Sequence, residues 1–238
     1  MDADRSKLES EFDRFADEYY EQLKSRITLS GEKPEYFAEY KIVDIGRELA
    51  RQGQLRPGLS VLDFGAGTGS SIPWVGRHLP GAHLTCLDPS RRSLEVAERR
   101  FPGQARLMYF DGRRIPLADG SFDVAYAMCV FHHIDRIHHV ALMSELRRVL
   151  KEGAQLFIFE HNPWNPLTRR VVNDCRFDEN AVLIRASELE SELFAAGFAA
   201  AAIRYRIFFP GFARALRPLE RWMTWLPLGG QYYVRATR

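Results

Sequence analysis

The chain has 238 residues, 46% of them hydrophobic, and its 33 basic side chains nearly balance 31 acidic ones to leave a net charge of +2. That length suits one compact domain with a sizeable core, or one domain with a helical appendage. The near-neutral charge excludes a global electrostatic footprint for nucleic acid.

The three cysteines, Cys86, Cys129 and Cys175, are odd in number and form no C-x-x-C pair, which fits a reducing compartment. No basic and apolar leader opens the chain, and no apolar run reaches ~18 residues. The expectation is a soluble, cytoplasmic protein.

Apolar side chains at Leu8, Phe12, Phe15, Tyr19, Leu23 and Ile27 recur at helical spacing and predict an amphipathic helix over 7–27. After a linker, Pro34 opens a second helix that runs to about Arg51 and stops at Gly53. Both helices precede the first strand, so residues 1–55 read as an N-terminal helical cap outside the sheet. Tyr19, Tyr20 and Tyr40 on this cap either pack or close over a ligand.

Strands are predicted at 59–63, 82–87, 105–110, 122–129 and 154–160, with helices at 70–79, 90–101 and 136–150. Such alternation gives a doubly wound parallel α/β sheet with right-handed crossovers. Asp135 reads as the N-cap of the helix that follows it, and Gly153 as the end of that unit. A helix at 187–196 then leads to strands over Phe198–Phe209 and Tyr232–Thr237, an antiparallel pair.

The first strand and its loop read Val61-Leu62-Asp63-Phe64-Gly65-Ala66-Gly67-Thr68-Gly69. Gly at every second position lets the backbone turn sharply and approach a ligand with no Cβ in the way. The helix opening at Ser70-Ser71 presents unpaired N–H groups to an anionic end of that ligand. The second strand ends in Asp88, where an acid suits the two hydroxyls of a ribose. These features point to an adenosine cofactor. The dinucleotide pattern G-x-G-x-x-G is missing, however, and Asp63, two residues before the first Gly, would repel a pyrophosphate while suiting an ammonium and a sulfonium.

On the pattern Asp63-x-Gly65-x-Gly67-x-Gly69 and Asp88, the chain resembles the class I S-adenosylmethionine-dependent methyltransferases over about residues 36–160. The resemblance implies a Rossmann-like catalytic domain over 56–238 with seven strands, mostly parallel, ending in an antiparallel hairpin. It also implies S-adenosylmethionine as cofactor. Asp63, Gly65, Ala66, Gly67 and Gly69 would hold it from the first loop, and Asp88, Pro89 and Ser90 from the second. Asp111 and Gly112 would do so after the third strand, and Cys129 and Val130 at the end of the fourth. Asp111 suits the exocyclic amine of adenine, or closes an Asx-turn.

The fourth strand leads into Val130-Phe131-His132-His133, which lacks the acid-or-Asn, Pro-Pro, aromatic motif of the family's amino methyltransferases. It resembles the small-molecule branch. His132 and His133 are candidate general bases, since an imidazole titrates near neutral pH; structural roles stay open for both. His138 and His139 lie inside the next helix with their side chains expected in solvent, and adjacent His side chains diverge, so no metal is expected.

The fifth strand ends in Glu160-His161-Asn162-Pro163-Trp164. His161 is a further base candidate, and Glu160 and Trp164 face the acceptor side. Residues 212–226 carry Trp222 and other apolar side chains between Arg214, Arg217 and Arg221, and read as a helix. It would serve as core or a homodimer contact, as a lid over the substrate, or as a basic amphipathic helix on a membrane.

The function expected is methyl transfer to a small molecule, with an oxygen acceptor favoured, in glycan, lipid-linked or secondary-metabolite biosynthesis. An RNA or protein methyltransferase of the same fold, or a non-enzymatic cofactor-binding module, are the alternatives.

Overall fold

A computed structural model describes residues 31–174 and 181–238. The expected helix over 7–27, with Tyr19 and Tyr20, and Cys175 lie outside the described residues. Helix α1, Pro34–Arg51, starts with Pro at a position whose N–H has no intrahelical partner anyway, and Gly53 follows its end at φ +68°. There follow β1 Ser60–Phe64, α2 Ile72–His78, β2 His83–Asp88, α3 Arg91–Arg100, β3 Arg106–Tyr109, β4 Phe122–Met128, α4 Arg136–Val149 and β5 Leu150–His161. The remainder is α5 Pro166–Asn173, α6 Ala186–Ala195, β6 Ala200–Arg206, α7 Glu220–Met223 and β7 Gln231–Thr237. Asp135 does cap α4, its carboxylate accepting from the Ile137 N–H.

The strands form one sheet in the order β3-β2-β1-β4-β5-β7-β6. β1 pairs in parallel with β2 on one side and β4 on the other, while β7 runs antiparallel to both β5 and β6. The order reverses between β1 and β4, and at such a switch point an open sheet leaves a crevice beyond the carboxyl ends of its strands.

Side chains alternate between the two faces. Val61, Val124, Tyr126, Phe157 and Phe159 cluster with Ile42, Ile45 and Leu49 of α1 and with Ile72 and Val75 of α2. Leu62, Phe64, Ala125, Leu156 and Ile158 cluster with Leu142 and Leu146 of α4 and Leu189 and Leu193 of α6. The sheet is thus covered on both faces. α1 is one of the covering helices, packed on the sheet through its buried stripe.

Three elements differ most from the sequence expectation. β5 begins directly at Leu150, ahead of Gly153. Phe122 pairs with Leu150 and Val124 with Gln155, so the residues between bulge out of register, with Gly153 at φ +73°. β6 stops at Arg206, because Ile207 turns the chain at φ +63°. The helix expected over 212–226 is instead a run of 3-10 turns, Gly211–Leu219, followed by the four residues of α7. Pro218 supplies no N–H, and Ala213 departs from helical dihedrals, so a single amphipathic face does not form.

Candidate active site

The carboxyl ends of β1 and β2 form a cradle. The Gly65 and Ala66 N–H groups donate to the Leu87 carbonyl, fastening the Gly loop to β2. The three glycines serve different ends. A Cβ on Gly65 would fall 2.6 Å from the Val130 side chain, and one on Gly69 would fall 2.7 Å from Ile72, so these two admit close packing. Gly67, at φ +52°, has nothing within 4 Å of where a Cβ would sit. Its missing side chain leaves the cleft open. The Gly67 N–H donates to Asp88 at 2.7 Å, and the other Asp88 oxygen accepts from the Ser90 N–H at 2.8 Å. The side chain of Ser90 caps α3.

Asp63 is buried at the end of β1. Ser71 donates to its carboxyl, and the Tyr126 hydroxyl donates in turn to Ser71. Helix α2 starts at Ile72, later than expected, so Ser71 serves Asp63 instead of opening the helix. Burial raises the Asp63 carboxyl to about 7, against the opposing hydrogen bonds of Ser71 and Tyr126. A buried acid poised in this way fits a cationic group. Beyond β3, Asp111 accepts from the Arg113 and Arg114 N–H groups with one oxygen, forming an Asx-turn before Gly112 at φ +78°.

Beyond β4 and β5 the polar side chains crowd together. Glu160 is fully buried and accepts from the Val130 and Phe131 N–H groups, and its second oxygen lies 2.5 Å from His132 Nδ1. Burial alone would raise the Glu160 carboxyl, but His132, His161 and His133 outweigh it and hold the group below its ordinary value. The ring of His132 lies 4.1 Å from that of His133 and 5.4 Å from that of His161. His133 and His161 are half-buried, whereas His132 is 2% exposed. Glu160, read from sequence as facing the acceptor, has both oxygens engaged in holding the 3-10 turn Phe131–His133.

His139, expected in solvent, is fully buried on α4. It lies 2.9 Å from Glu192 and 3.0 Å from the carbonyls of Phe131 and Ile134. It ties α4 to the same turn. No metal-holding group of His, Cys, Asp and Glu exists among the described residues.

Cys129 occupies the end of β4 at φ +59°. Its Sγ lies 3.3 Å from Lys41 Nζ, and Lys41 is itself only 5% exposed. Burial works against the thiolate, but Lys41 and then His161 bring the thiol down to about 7. Gln231 joins the group. It hydrogen-bonds His161 Nδ1 at 3.3 Å and accepts from the buried Tyr40 hydroxyl. Lys41 and Gln231 escaped the sequence reading. Lys41 interrupts the apolar stripe Ala38, Ile42, Ile45 and Leu49, a signal that was there to find, whereas Gln231 reaches the site through the β5–β7 register alone.

Trp164 and Trp222 are both more than half exposed. With Phe212, Leu216, Leu219, Trp225 and Leu228, Trp222 stands clear of the core, which overturns the core reading of 212–226.

Residues 62–158 match the family described as a methyltransferase domain. A demethylmenaquinone methyltransferase of Thermotoga maritima is 31% identical over 159 residues, 67% of this chain and 62% of that protein. An O-methyltransferase of Pyrenophora dematioidea is 33% identical over 108 residues, 43% of this chain and 39% of that protein. The chain spans less than two thirds of the length of these curated relatives. Among solved structures, an S-adenosylmethionine-dependent methyltransferase of Thermotoga maritima superposes with a TM-score of 0.66 at 21% identity, covering 97% of this chain and 99% of that one. Phosphoethanolamine N-methyltransferase 2 of Haemonchus contortus, in complex with S-adenosylmethionine, gives 0.58 at 16% identity over 85% of this chain and 56% of its own. These structural likenesses concern the fold.

Proposed function

The chain belongs to the class I S-adenosylmethionine-dependent methyltransferases, and from that premise we propose that it methylates a small, largely apolar acceptor at oxygen. The observation that carries this reading is the meeting of two groups at the strand ends. Val130, whose side chain stands against Gly65 of the first loop, leads into the turn Phe131–His133, and the His161 ring lies 5.4 Å from that of His132.

The cofactor, when bound, supplies an electrophilic methyl group. The residues of the chain do the rest. In this reading Asp63 receives an ammonium, Asp88 with Pro89 and Ser90 a ribose, and Asp111 with Gly112 the adenine. Gly65, Ala66, Gly67 and Gly69 shape the cleft, and Cys129 and Val130 close its far side. His133 or His161 takes the proton of the acceptor hydroxyl, while Glu160 keeps His132 and the turn in place. Tyr40 and Lys41, carried by α1, cap the acceptor cleft as part of an N-terminal unit over residues 1–55, and Trp164 borders it.

The names of two relatives, a demethylmenaquinone methyltransferase and an O-methyltransferase, support a small acceptor and, in the second, methylation at oxygen. Incubation with methyl-labelled S-adenosylmethionine and a panel of apolar phenols and hydroquinones tests this. Label in an extractable product, dependent on the protein, is expected. Label confined to RNA or protein would overturn the acceptor class. Cofactor binding without turnover on the whole panel would favour a binding module.

A further inference from the structure

The outer surface next to the acceptor side carries an unusual display. Phe212 is 90% exposed, Trp225 71%, Leu167 67%, Leu228 62%, Trp164 61% and Trp222 59%. Single exposed apolar residues are ordinary, but six large ones on two adjoining segments are not. Side chains of the first segment hold the backbone of the second. Asn162 Nδ2 donates to the carbonyls of Pro227 and Gly229, Asn165 Nδ2 to that of Leu228, and Thr168 Oγ1 to that of Gly230. The apolar side chains are therefore presented from a braced surface.

Charge decides what this surface fits. Glu220, the acid within 204–222, is buried and accepts from the Phe208 and Phe209 N–H groups. Arg206 is paired with Asp44 and Arg217 with Glu32. Arg214 and Arg221 have no acidic partner within salt-bridge distance among the described residues, and Arg221 stacks 3.8 Å from the Trp222 ring. A two-fold pairing with a second copy would set this arginine-bearing face against itself. An anionic bilayer instead takes tryptophan and leucine at its interface and arginine at its headgroups. No helix among the described residues is long and apolar enough to cross a membrane, so attachment would be peripheral.

We propose that the surface formed by residues 162–168 and 211–228 docks on an anionic lipid bilayer. The bilayer then lies against the end of β5, where His161 sits, and an apolar acceptor dissolved in it has a short route to the strand ends. The docking itself does not depend on the methyl-transfer reading.

Flotation of the full chain with phosphatidylglycerol–phosphatidylcholine vesicles tests it. At low salt the protein should rise with these vesicles and stay down with phosphatidylcholine alone. Tryptophan emission should shift to the blue, because three of the four tryptophans lie on the surface. Arg214→Gln with Arg221→Gln should lower the partition coefficient by roughly tenfold or more. Trp222→Ser with Trp225→Ser should abolish flotation with the melting temperature held, since both side chains are exposed. The proposal fails if the wild type stays down at low salt, or if flotation is indifferent to the Trp pair. It fails equally if the Trp pair instead dissociates a concentration-dependent dimer. Cofactor affinity, measured on the same samples, stands apart from all these outcomes.

Discussion

Lys41 Nζ lies 3.3 Å from Cys129 Sγ, joining a buried lysine of the first helix to a cysteine at the end of the fourth strand. With His161 nearby, the lysine holds the thiol at about 7 against the penalty of burial. Alkylation by iodoacetamide, followed by peptide mass mapping, should therefore accelerate through about pH 7 at Cys129. Cys86, buried and pushed up by its surroundings, should stay unreacted. Lys41→Met should move the Cys129 midpoint upward, and S-adenosylmethionine should protect the thiol. A midpoint that Lys41→Met leaves in place would show that the pair does not set the reactivity.

The Asp63 carboxyl, raised by burial to about 7, should link binding at the proposed cofactor site to pH. In the free protein a raised carboxylic pKa adds stability at low pH, and this contribution is lost as pH rises from the ordinary carboxylate range through about 7. A bound ammonium favours the ionised form, so binding should release a proton below pH 7 and affinity should rise by up to ~tenfold per pH unit towards that value. Calorimetry in buffers of different ionisation enthalpy reads the proton directly. Asp63→Asn should weaken binding and flatten the dependence.

The glycines separate ligand space from packing. Gly67→Val should abolish cofactor affinity and lower stability by only ~1–2 kcal/mol for the left-handed backbone, as nothing stands within 4 Å of its Cβ. Gly65→Ala carries the same left-handed backbone cost at φ +76° and adds the clash with Val130, so it should cost ~3–5 kcal/mol in all. Thermal melts and titrations on both variants make the comparison; equal loss of stability in the two would contradict it.

For the chemical step, His133→Ala or His161→Ala should lower turnover by ~10²–10⁴ with cofactor affinity intact, if that residue takes the proton. His132→Ala should act differently. It leaves the Glu160 carboxylate buried without its imidazole and should destabilise the fold by ~1–3 kcal/mol. Melting curves beside steady-state rates tell the two effects apart.

The proposed cofactor half of the site could be assembled from sequence because it is local: Asp63, the alternating glycines and Asp88 follow one another along two strand–loop units. The acceptor half depends on tertiary register. Gln231 meets His161 only because β7 pairs antiparallel with β5. His139 looked solvent-facing in sequence, but α6 brings Glu192 to it. The 212–226 segment misled for another reason. Its apolar spacing is helical, yet Pro218 and the turn at Ala213 break it into 3-10 turns, and periodicity alone does not register that. β5 begins where α4 ends, and neither Val149 nor Leu150 is a Gly or Pro that would mark the boundary.

The measurement that bears most directly on the account is equilibrium binding of S-adenosylmethionine and of NAD to the wild type and to Asp88→Ala. The wild type should bind S-adenosylmethionine in preference to NAD. The variant, its fold verified by melting, should bind S-adenosylmethionine at least ~tenfold more weakly through loss of charge-assisted hydrogen bonds. Tighter binding of NAD, or an affinity for S-adenosylmethionine unchanged by Asp88→Ala, would contradict the cofactor and its placement.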